Sequence, residues 1–286
     1  MNSEASVKPA LARLPALLIF LVGGSLIMLV FSPWRTLIKD PTQDYLGRLA
    51  LVAGFLILVA LAHRLKFLLP YKEVLVGLFI LSAAVTLDRV FGLFAIDSLG
   101  AYDTAPKGWA IQKAHESLIV ISAILLLNKA WGGSLGSLYI QRGKLKLGLL
   151  VGGIAFLLAV AGSFPMAALF KAENLTLARV VPWIPWILIY VLCNAAMEEL
   201  MFRGLFLRKL EPFWGRFGAN LLVAFVFTIL HGTVTYSASN MIFLAVTFPL
   251  ALAWGYLMQK SEGIWGSILF HAGMDIPIML GIFSTL

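Results

Sequence analysis

Apolar stretches of about the length of a membrane span recur along the whole sequence. A helix needs about 20 apolar residues to cross the hydrocarbon core of a bilayer. Nine such stretches can be marked, approximately at 14–31, 49–62, 74–87, 109–127, 147–170, 181–197 with a helical continuation to 210, 217–231, 241–257 and 264–283. The second and third are short for a span. The pattern therefore predicts an all-α, polytopic membrane protein with eight or nine transmembrane helices.

Composition supports the same fold class. Of the 286 residues, 60% are hydrophobic and only 13% are charged, and the mean hydropathy is +0.93. A water-soluble domain needs far more polar surface than this. The net charge of +8 comes from Lys and Arg residues that lie mostly in the loops between apolar stretches. That distribution is typical of membrane orientation, so no nucleic-acid partner is expected.

The basic residues divide unequally between alternate loops. With nine spans, the larger set lies at the N-terminus and in every second loop: Lys8, Arg13, Arg64, Lys66, Lys72, Lys129, Arg142, Lys144, Lys146, Arg208, Lys209, Arg216 and Lys260. The smaller set lies on the other side: Arg35, Lys39, Arg48, Arg89, Lys107, Lys113, Lys171 and Arg179. Because basic residues are enriched in cytoplasmic loops, we expect a cytoplasmic N-terminus and an external C-terminus.

One apolar stretch ends in the run Glu198-Glu199-Leu200-Met201-Phe202-Arg203. Ionisable side chains within membrane spans are costly to keep and commonly functional. Glu199 precedes Arg203 by four residues, which is the favoured order for an ion pair on one helix face. Glu198 has no such counter-ion, and a carboxylate in that position is suited to act as a general base. The alternative is a buried ion pair with one acid reaching the interface.

Two later spans supply possible partners for this acid. Phe227 and His231 are four residues apart on one span, and His271 and Asp275 have the same spacing on another. At about 1.5 Å per residue, Glu198 lies ~15 Å from Arg208, His231 ~22 Å from Arg216 and His271 ~16 Å from Lys260. All three reference charges belong to the larger basic set. The sequence therefore predicts one central polar cavity that opens to the cytoplasm.

Two hydrolytic chemistries suit such a cluster. In the first, Glu198 and His231 deprotonate a water that attacks a peptide carbonyl, while His271 and Asp275 donate hydrogen bonds to the developing oxyanion. In the second, Glu198, His231, His271 and Asp275 bind a zinc ion that activates the water. The chain has no His-Glu-x-x-His run. The metal-free version, with no cofactor, is favoured, and zinc is the alternative.

These residues resemble the motifs of the CAAX prenyl endopeptidase type II and bacteriocin-processing (CPBP) family of intramembrane glutamic proteases. Its two glutamates, three residues and an arginine match 198–203, its Phe-x-x-x-His matches 227–231, and its His-x-x-x-Asn/Asp matches 271–275. The resemblance implies a helical fold with a conical, cytoplasm-facing cavity. It also implies that Glu198 and His231 activate water and that His271 and Asp275 stabilise the oxyanion. Glu199, Arg203 and Phe227 are expected to support these groups.

The motifs cover the chain from about Val181 onward. We therefore expect a catalytic transmembrane core at 146–286 and an accessory transmembrane region at 1–145. The expected function is endopeptidase cleavage of a membrane-associated protein or peptide, with or without a lipid anchor. The alternative is a non-catalytic immunity or scaffold protein that keeps the pocket to bind a peptide. Proton-coupled transport is a third class, although no inverted repeat is visible.

Overall fold

The computed structural model describes residues 10–32, 37–99, 105–234 and 236–285. Within these ranges the chain forms helices and loops and no β-strand. The predicted all-α, multi-pass membrane architecture is confirmed. Lys8 and Arg35, which contributed to the predicted orientation, lie outside the described residues.

The helices follow the apolar stretches in order. The α-helices are α1 (Ala10–Ser25), α2 (Pro41–Arg64), α3 (Lys72–Leu99), α4 (Lys107–Ala130), α5 (Leu145–Ala167), α6 (Leu177–Val180), α7 (Ile184–Glu198), α8 (Leu205–Leu230), α9 (Asn240–Ser261) and α10 (Trp265–Ser284). Two π-helical segments extend α1 and α7, namely Leu26–Val30 and Glu199–Gly204. Short 3₁₀ segments are Leu69–Tyr71, Leu135–Leu138, Ala168–Phe170, Val181–Trp183 and His231–Thr233.

The second and third apolar stretches, which are short for a membrane span, lie in helices that are long enough to be one. Helix α2 starts at Pro41, well before the apolar stretch, because Asp40 caps it by accepting a hydrogen bond from the Gln43 amide at 2.8 Å. Its 24 residues are long enough to cross a bilayer, as are the 24 residues of Leu69–Gly92. Both marginal stretches are therefore membrane helices, lengthened by polar residues at their ends.

Eight helices in the described part of the chain are long and apolar enough to span a membrane, and one of them, Leu177–Leu230, has 54 residues. This helix turns back at Gly215, whose φ of 68° lies in the left-handed region that glycine adopts without strain. Phe202 and Phe227 would be about 37 Å apart on a straight helix. Their rings instead pack at 5.1 Å. The segment is thus a hairpin of two helical arms, and the described chain passes nine times between the two ends of the helix bundle, as the nine stretches predict.

The loops therefore alternate between two ends of the bundle. At one end, here called the Glu262 end, the loops after α4 and α9 lie beside the Gly215 turn. Arg208 and Arg216 pair with the Glu262 carboxylate at 2.7 and 2.8 Å. Gln141 donates to the Glu262 carbonyl oxygen at 2.8 Å. At the opposite end, the Ser284 end, the backbone N–H of Glu173 donates to the Ser284 hydroxyl at 2.9 Å. Nη2 of Arg179 donates to the Ser284 carbonyl oxygen, also at 2.9 Å.

The two predicted regions share one hydrophobic core. Phe20 of α1 packs against Phe206 of α8 with ring centroids 5.0 Å apart, and Tyr71 stacks on Phe213 at 5.9 Å. Buried residues of α3 belong to the same cluster as those of α7, α8 and α9. The boundary between 1–145 and 146–286 stays a prediction, and helices on its two sides pack directly against one another.

Helices α5 and α10 cross at glycines that allow their backbones to touch. A Cβ atom on Gly152 would lie 2.3 Å from the Gly266 carbonyl oxygen, whereas a Cβ on the neighbouring Gly153 would meet no atom within 4 Å. We expect Gly152→Ala to force the helices apart and cost about 1–3 kcal/mol. Gly153→Ala should be neutral or stabilise by about 1 kcal/mol. Thermal unfolding of the two variants in detergent measures the difference, and equal midpoints would contradict the packing described.

Candidate active site

The acidic run lies on a change of helix type. Helix α7 ends at Glu198, and the π-helical segment Glu199–Gly204 follows, with every residue of the segment buried. Such π segments are frequent at functional sites. The sequence predicted a continuous α-helix to about 210. The π segment differs from that prediction, and its first residue is Glu199.

Glu199 is the centre of a buried polar network. Its carboxylate binds the Arg203 guanidinium at 2.7 Å, so the predicted ion pair is present, and both side chains are 0% exposed. The same carboxylate contacts His271 Nδ1 at 2.9 Å and accepts a hydrogen bond from the Ser267 hydroxyl. Glu199 thus joins the π segment to α10. Both of its oxygens are therefore occupied by hydrogen-bond partners.

Aromatic rings enclose Arg203. The guanidinium lies 4.5 Å from the centroid of Phe227 and 5.2 Å from that of Trp254, and Nη2 donates to the Ala251 carbonyl at 3.3 Å. Contacts of this kind stabilise a cation that has lost its hydration. Phe227 also packs on His231, with ring centroids 4.4 Å apart. The phenylalanine of the second motif therefore supports both the ion pair and the histidine.

His271 is fixed on both sides of its ring. Trp254 stacks on it at 4.0 Å with 8° between the planes, and Glu199 holds Nδ1. Its other nitrogen, Nε2, lies 3.6 Å from Glu198 Oε2 and 3.7 Å from Asp275 Oδ1. Both distances are longer than a hydrogen bond. The ring is therefore oriented so that Nε2 faces the space between two carboxylates.

Glu198 and Asp275 differ in their partners. Asp275 Oδ2 accepts a hydrogen bond from Asn194 Nδ2 at 3.0 Å. Glu198 is 6% exposed, and its Oε2 accepts no hydrogen bond within the described part of the chain. Burying a charged oxygen without a donor is unfavourable. Since stability does not explain this arrangement, Glu198 Oε2 is the site atom that is open to a ligand.

His231 is the last predicted member of the cluster and begins the 3₁₀ turn after α8. Its Nδ1 lies 2.8 Å from the Phe227 carbonyl oxygen. A carbonyl only accepts hydrogen bonds, so Nδ1 carries the proton and, in the neutral ring, Nε2 keeps its lone pair. The local i,i+4 contact thus sets the tautomer that a base requires.

A cavity of about 1110 Å³ brings the four predicted residues together. Its lining includes Glu198, His231, His271 and Asp275. Glu199 and Arg203 lie behind this wall and do not line it. The remaining lining is mostly apolar and includes further polar side chains from other helices and loops. The predicted central cavity with its polar residues is therefore present, and its volume and lining suit a largely apolar ligand.

Four residues of the site were not anticipated from the sequence. Asn194 and Ser267 precede Glu198 and His271 by four residues, so helical spacing was an available signal for both. Trp254 gave no signal beyond being a tryptophan within a span. Lys113 was counted among the loop cations, which was wrong: it is 7% exposed, pairs with Glu116 at 2.6 Å and lines the cavity from α4.

The cavity extends toward one end of the helix bundle. Its lining reaches loop residues of the Ser284 end, including Lys39, Phe170 and Ala238, and Ile282 near the end of α10. This is the side that carries the smaller basic set. The orientation of the termini and of the cavity relative to the membrane stays a prediction. The depths predicted from the sequence for Glu198, His231 and His271 were counted from Arg208, Arg216 and Lys260. They are therefore distances from the Glu262 end, opposite to the end that the cavity lining reaches.

In the described ranges, no three His, Cys, Asp or Glu side chains are grouped so that they hold a metal ion together. His271 Nδ1 is already engaged by Glu199, which leaves one nitrogen of this ring for any other ligand. Cleavage assays with and without a zinc chelator therefore distinguish the metal-free mechanism from the zinc mechanism.

The fold and site define a multi-pass membrane protein with an ionisable cavity between its helices. Residues 180–277 match the family model described as Rce1-like, type II CAAX prenyl endopeptidase. The resemblance noted from the three motifs is thus confirmed over this segment. No curated protein and no solved structure matches the chain. The family supports CAAX-type intramembrane protease activity on peptide substrates in general.

Proposed function

We propose that the protein is an intramembrane glutamic endopeptidase that hydrolyses a peptide bond of a membrane-associated protein or peptide. The observation that carries the proposal is the convergence of Glu198, His231, His271 and Asp275, from three separate helical segments, on one cavity. Glu198 Oε2, which lacks a hydrogen-bond donor, lies on its wall. The Rce1-like family match over 180–277 supports the same reaction class.

Glu198 and His231 activate the water. Glu198 Oε2 takes one proton from the water, and the unprotonated Nε2 of His231 accepts a hydrogen bond from its second O–H and orients it. The water oxygen then bonds to the carbonyl carbon of the substrate. When the tetrahedral intermediate collapses, the C–N bond breaks and Glu198 returns its proton to the leaving nitrogen. One group thus serves as base and then as acid.

His271 and Asp275 stabilise the oxyanion. The carboxylates of Glu198 and Glu199 contact His271, and they favour the doubly protonated ring. Nε2–H then donates to the oxygen that becomes negative as the water attacks. Asp275 donates in its protonated state, and Asn194 fixes the direction of its carboxyl group. Removal of one oxyanion donor commonly lowers kcat by about 10²–10³-fold.

The test is peptide cleavage by the reconstituted protein. Wild type is incubated with a panel of quenched fluorescent peptides, with and without a C-terminal isoprenoid or an acyl chain. We expect cleavage of at least one peptide by wild type and a loss of about 10²–10⁴-fold in His231→Ala, because general acid–base groups contribute this much. His63→Ala is the matched control, because Nδ1 of His63 also lies 2.8 Å from the carbonyl oxygen four residues earlier, that of Val59, but His63 does not line the cavity. Equal rates for wild type and His231→Ala would refute the assigned chemistry.

A chelator arm of the same assay separates the two mechanisms. Metal-free hydrolysis predicts an unchanged rate after dialysis against a strong zinc chelator. Loss of activity that zinc restores would replace the base role of Glu198 by that of a metal ligand. Peptide binding without cleavage by wild type would instead support the non-catalytic immunity or scaffold function.

A further inference from the structure

Two tyrosine hydroxyls in the cavity have no role in the proposed hydrolysis. Tyr190 lies on α7, and Tyr236 lies in the loop between His231 and α9, and both line the cavity. In the described ranges, no protein group hydrogen-bonds to either hydroxyl. A tyrosine that is turned inward usually has a partner for its O–H. The two hydroxyls are therefore open hydrogen-bonding groups of the site, as Glu198 Oε2 is.

Tyr190 is held by its ring rather than by its hydroxyl. The Lys113 ammonium of α4 lies 5.5 Å from the centroid of this ring and is fixed in turn by Glu116 at 2.6 Å. A cation over an aromatic face is attracted to it. Tyr190 also precedes Asn194 by four residues and Glu198 by eight, and all three line the cavity. They form one polar stripe on α7 that ends at Glu198.

Tyr236 is also held by its ring. This ring packs edge-on against Phe243 with centroids 5.7 Å apart, and the Phe243 ring lies 6.2 Å from that of His231. The loop is tied to the turn after α5, because the Ala238 N–H donates to the Leu169 carbonyl at 3.0 Å. Burial raises the pKa of Tyr236, so its hydroxyl keeps its proton and can donate a hydrogen bond.

The distance from the tyrosines to the reacting groups matches a short length of peptide. Tyr190 is eight residues before Glu198, which is about 12 Å along a helix. An extended peptide advances about 3.3 Å per residue, so this distance covers about three to four residues. The Tyr236 hydroxyl is close enough to Tyr190 and Asp275 to interact with both electrostatically. The two tyrosines therefore lie together, a few substrate residues away from the scissile bond.

From this placement we infer that Tyr190 and Tyr236 bind the main chain of the substrate about three to four residues from the scissile bond. This inference rests on the proposed function, in which the cavity receives a peptide, and it specifies that peptide as an extended segment. A segment that is unwound loses its internal hydrogen bonds, and in a largely apolar cavity its carbonyl groups need donors from the protein. The two hydroxyls supply these donors. Because every peptide has main-chain carbonyls, the contacts select for an extended conformation rather than for particular side chains.

Tyrosine-to-phenylalanine substitutions test the inference, because they remove only a hydroxyl that has no partner in the described residues. We expect KM for peptide cleavage to rise about 3–10-fold in Tyr190→Phe and in Tyr236→Phe, which is the loss of one hydrogen bond, with little change in kcat. Tyr256→Phe is the matched control, since Tyr256 is 63% exposed on α9 and does not line the cavity. An unchanged KM in either cavity variant, or a fall in kcat alone, would overturn the inference.

Binding without turnover separates this inference from the endopeptidase proposal. The Glu198→Gln protein, alone and combined with Tyr190→Phe or Tyr236→Phe, is titrated with fluorescently labelled versions of the panel peptides, and polarisation is measured. Each peptide is also made with one main-chain carbonyl at a time replaced by a thiocarbonyl, which is a weaker acceptor. We expect a thiocarbonyl at a contacted position to weaken binding to the Glu198→Gln protein but not to the corresponding phenylalanine variant.

The two proposals fail in different ways in these assays. Weaker binding to the phenylalanine variants, with no cleavage of any peptide by wild type, would support the tyrosine contacts and refute the endopeptidase proposal. Cleavage by wild type, with equal KM and equal affinity in the phenylalanine variants, would overturn the tyrosine contacts and leave the endopeptidase proposal standing.

Discussion

Glu198→Gln is expected to lower kcat for peptide cleavage by about 10²–10⁴-fold, the contribution typical of a general base. The amide has nearly the same shape as the carboxyl group but takes no proton from water. Glu198 Oε2 has no hydrogen-bond donor in the described residues, so the substitution removes no such bond from it. KM should change little, because the wall of the cavity keeps its form.

Thermal stability separates a catalytic from a structural role for this residue. A buried carboxylate without a donor costs free energy, so a neutral side chain at 198 should leave the unfolding midpoint unchanged or raise it. Glu73→Gln is the matched control, since Glu73 is 64% exposed and lies 3.7 Å from Lys209, far from the site's chemistry. Its activity and stability should both equal those of wild type. A Glu198→Gln protein that is active, or inactive only because it unfolds, would contradict the assignment.

The helical fold was predictable because membrane spans follow from local composition. The apolar stretches and the alternating loops were sufficient to predict that the chain passes nine times through the helix bundle. The turn at Gly215 falls between two of the marked stretches. The ion pair of Glu199 with Arg203 was also predictable, since i,i+4 contacts depend on a single helix. Features that depend on one segment of chain were therefore accessible from the sequence.

Features that depend on several segments were not accessible. The contact of Glu199 with His271 joins residues 72 positions apart, and the stacking of Trp254 on His271 depends on how α9 packs against α10. The end of the bundle that the cavity lining reaches depends on packing in the same way. Counting residues along a helix gives the distance of a side chain from one end of that helix. The lining of the cavity depends instead on which helix ends are separated from one another in the folded bundle.

Arg203→Met is expected to destabilise the protein by about 3–5 kcal/mol, because it leaves the Glu199 carboxylate buried without its guanidinium. For a chain of this size the unfolding midpoint in detergent should fall by roughly 10 °C. Arg208→Met is the matched control. Its pair with Glu262 has the same 2.7 Å separation, but the two side chains are 35% and 36% exposed, so the expected cost is about 0–1 kcal/mol. Equal losses would mean that burial does not decide the strength of the Arg203 pair.

The double variant Glu199→Gln with Arg203→Met distinguishes folding from function. Removing both charges of a buried pair costs less than removing one, so part of the lost stability should return. Activity should not return with it, because Glu199 also holds His271 Nδ1 at 2.9 Å and binds Ser267. A neutral amide does not support the positive ring that donates to the oxyanion. Recovery of stability without recovery of cleavage would show that the second glutamate acts on the reaction through His271, whereas recovery of both would reduce Glu199 to a partner of Arg203 alone.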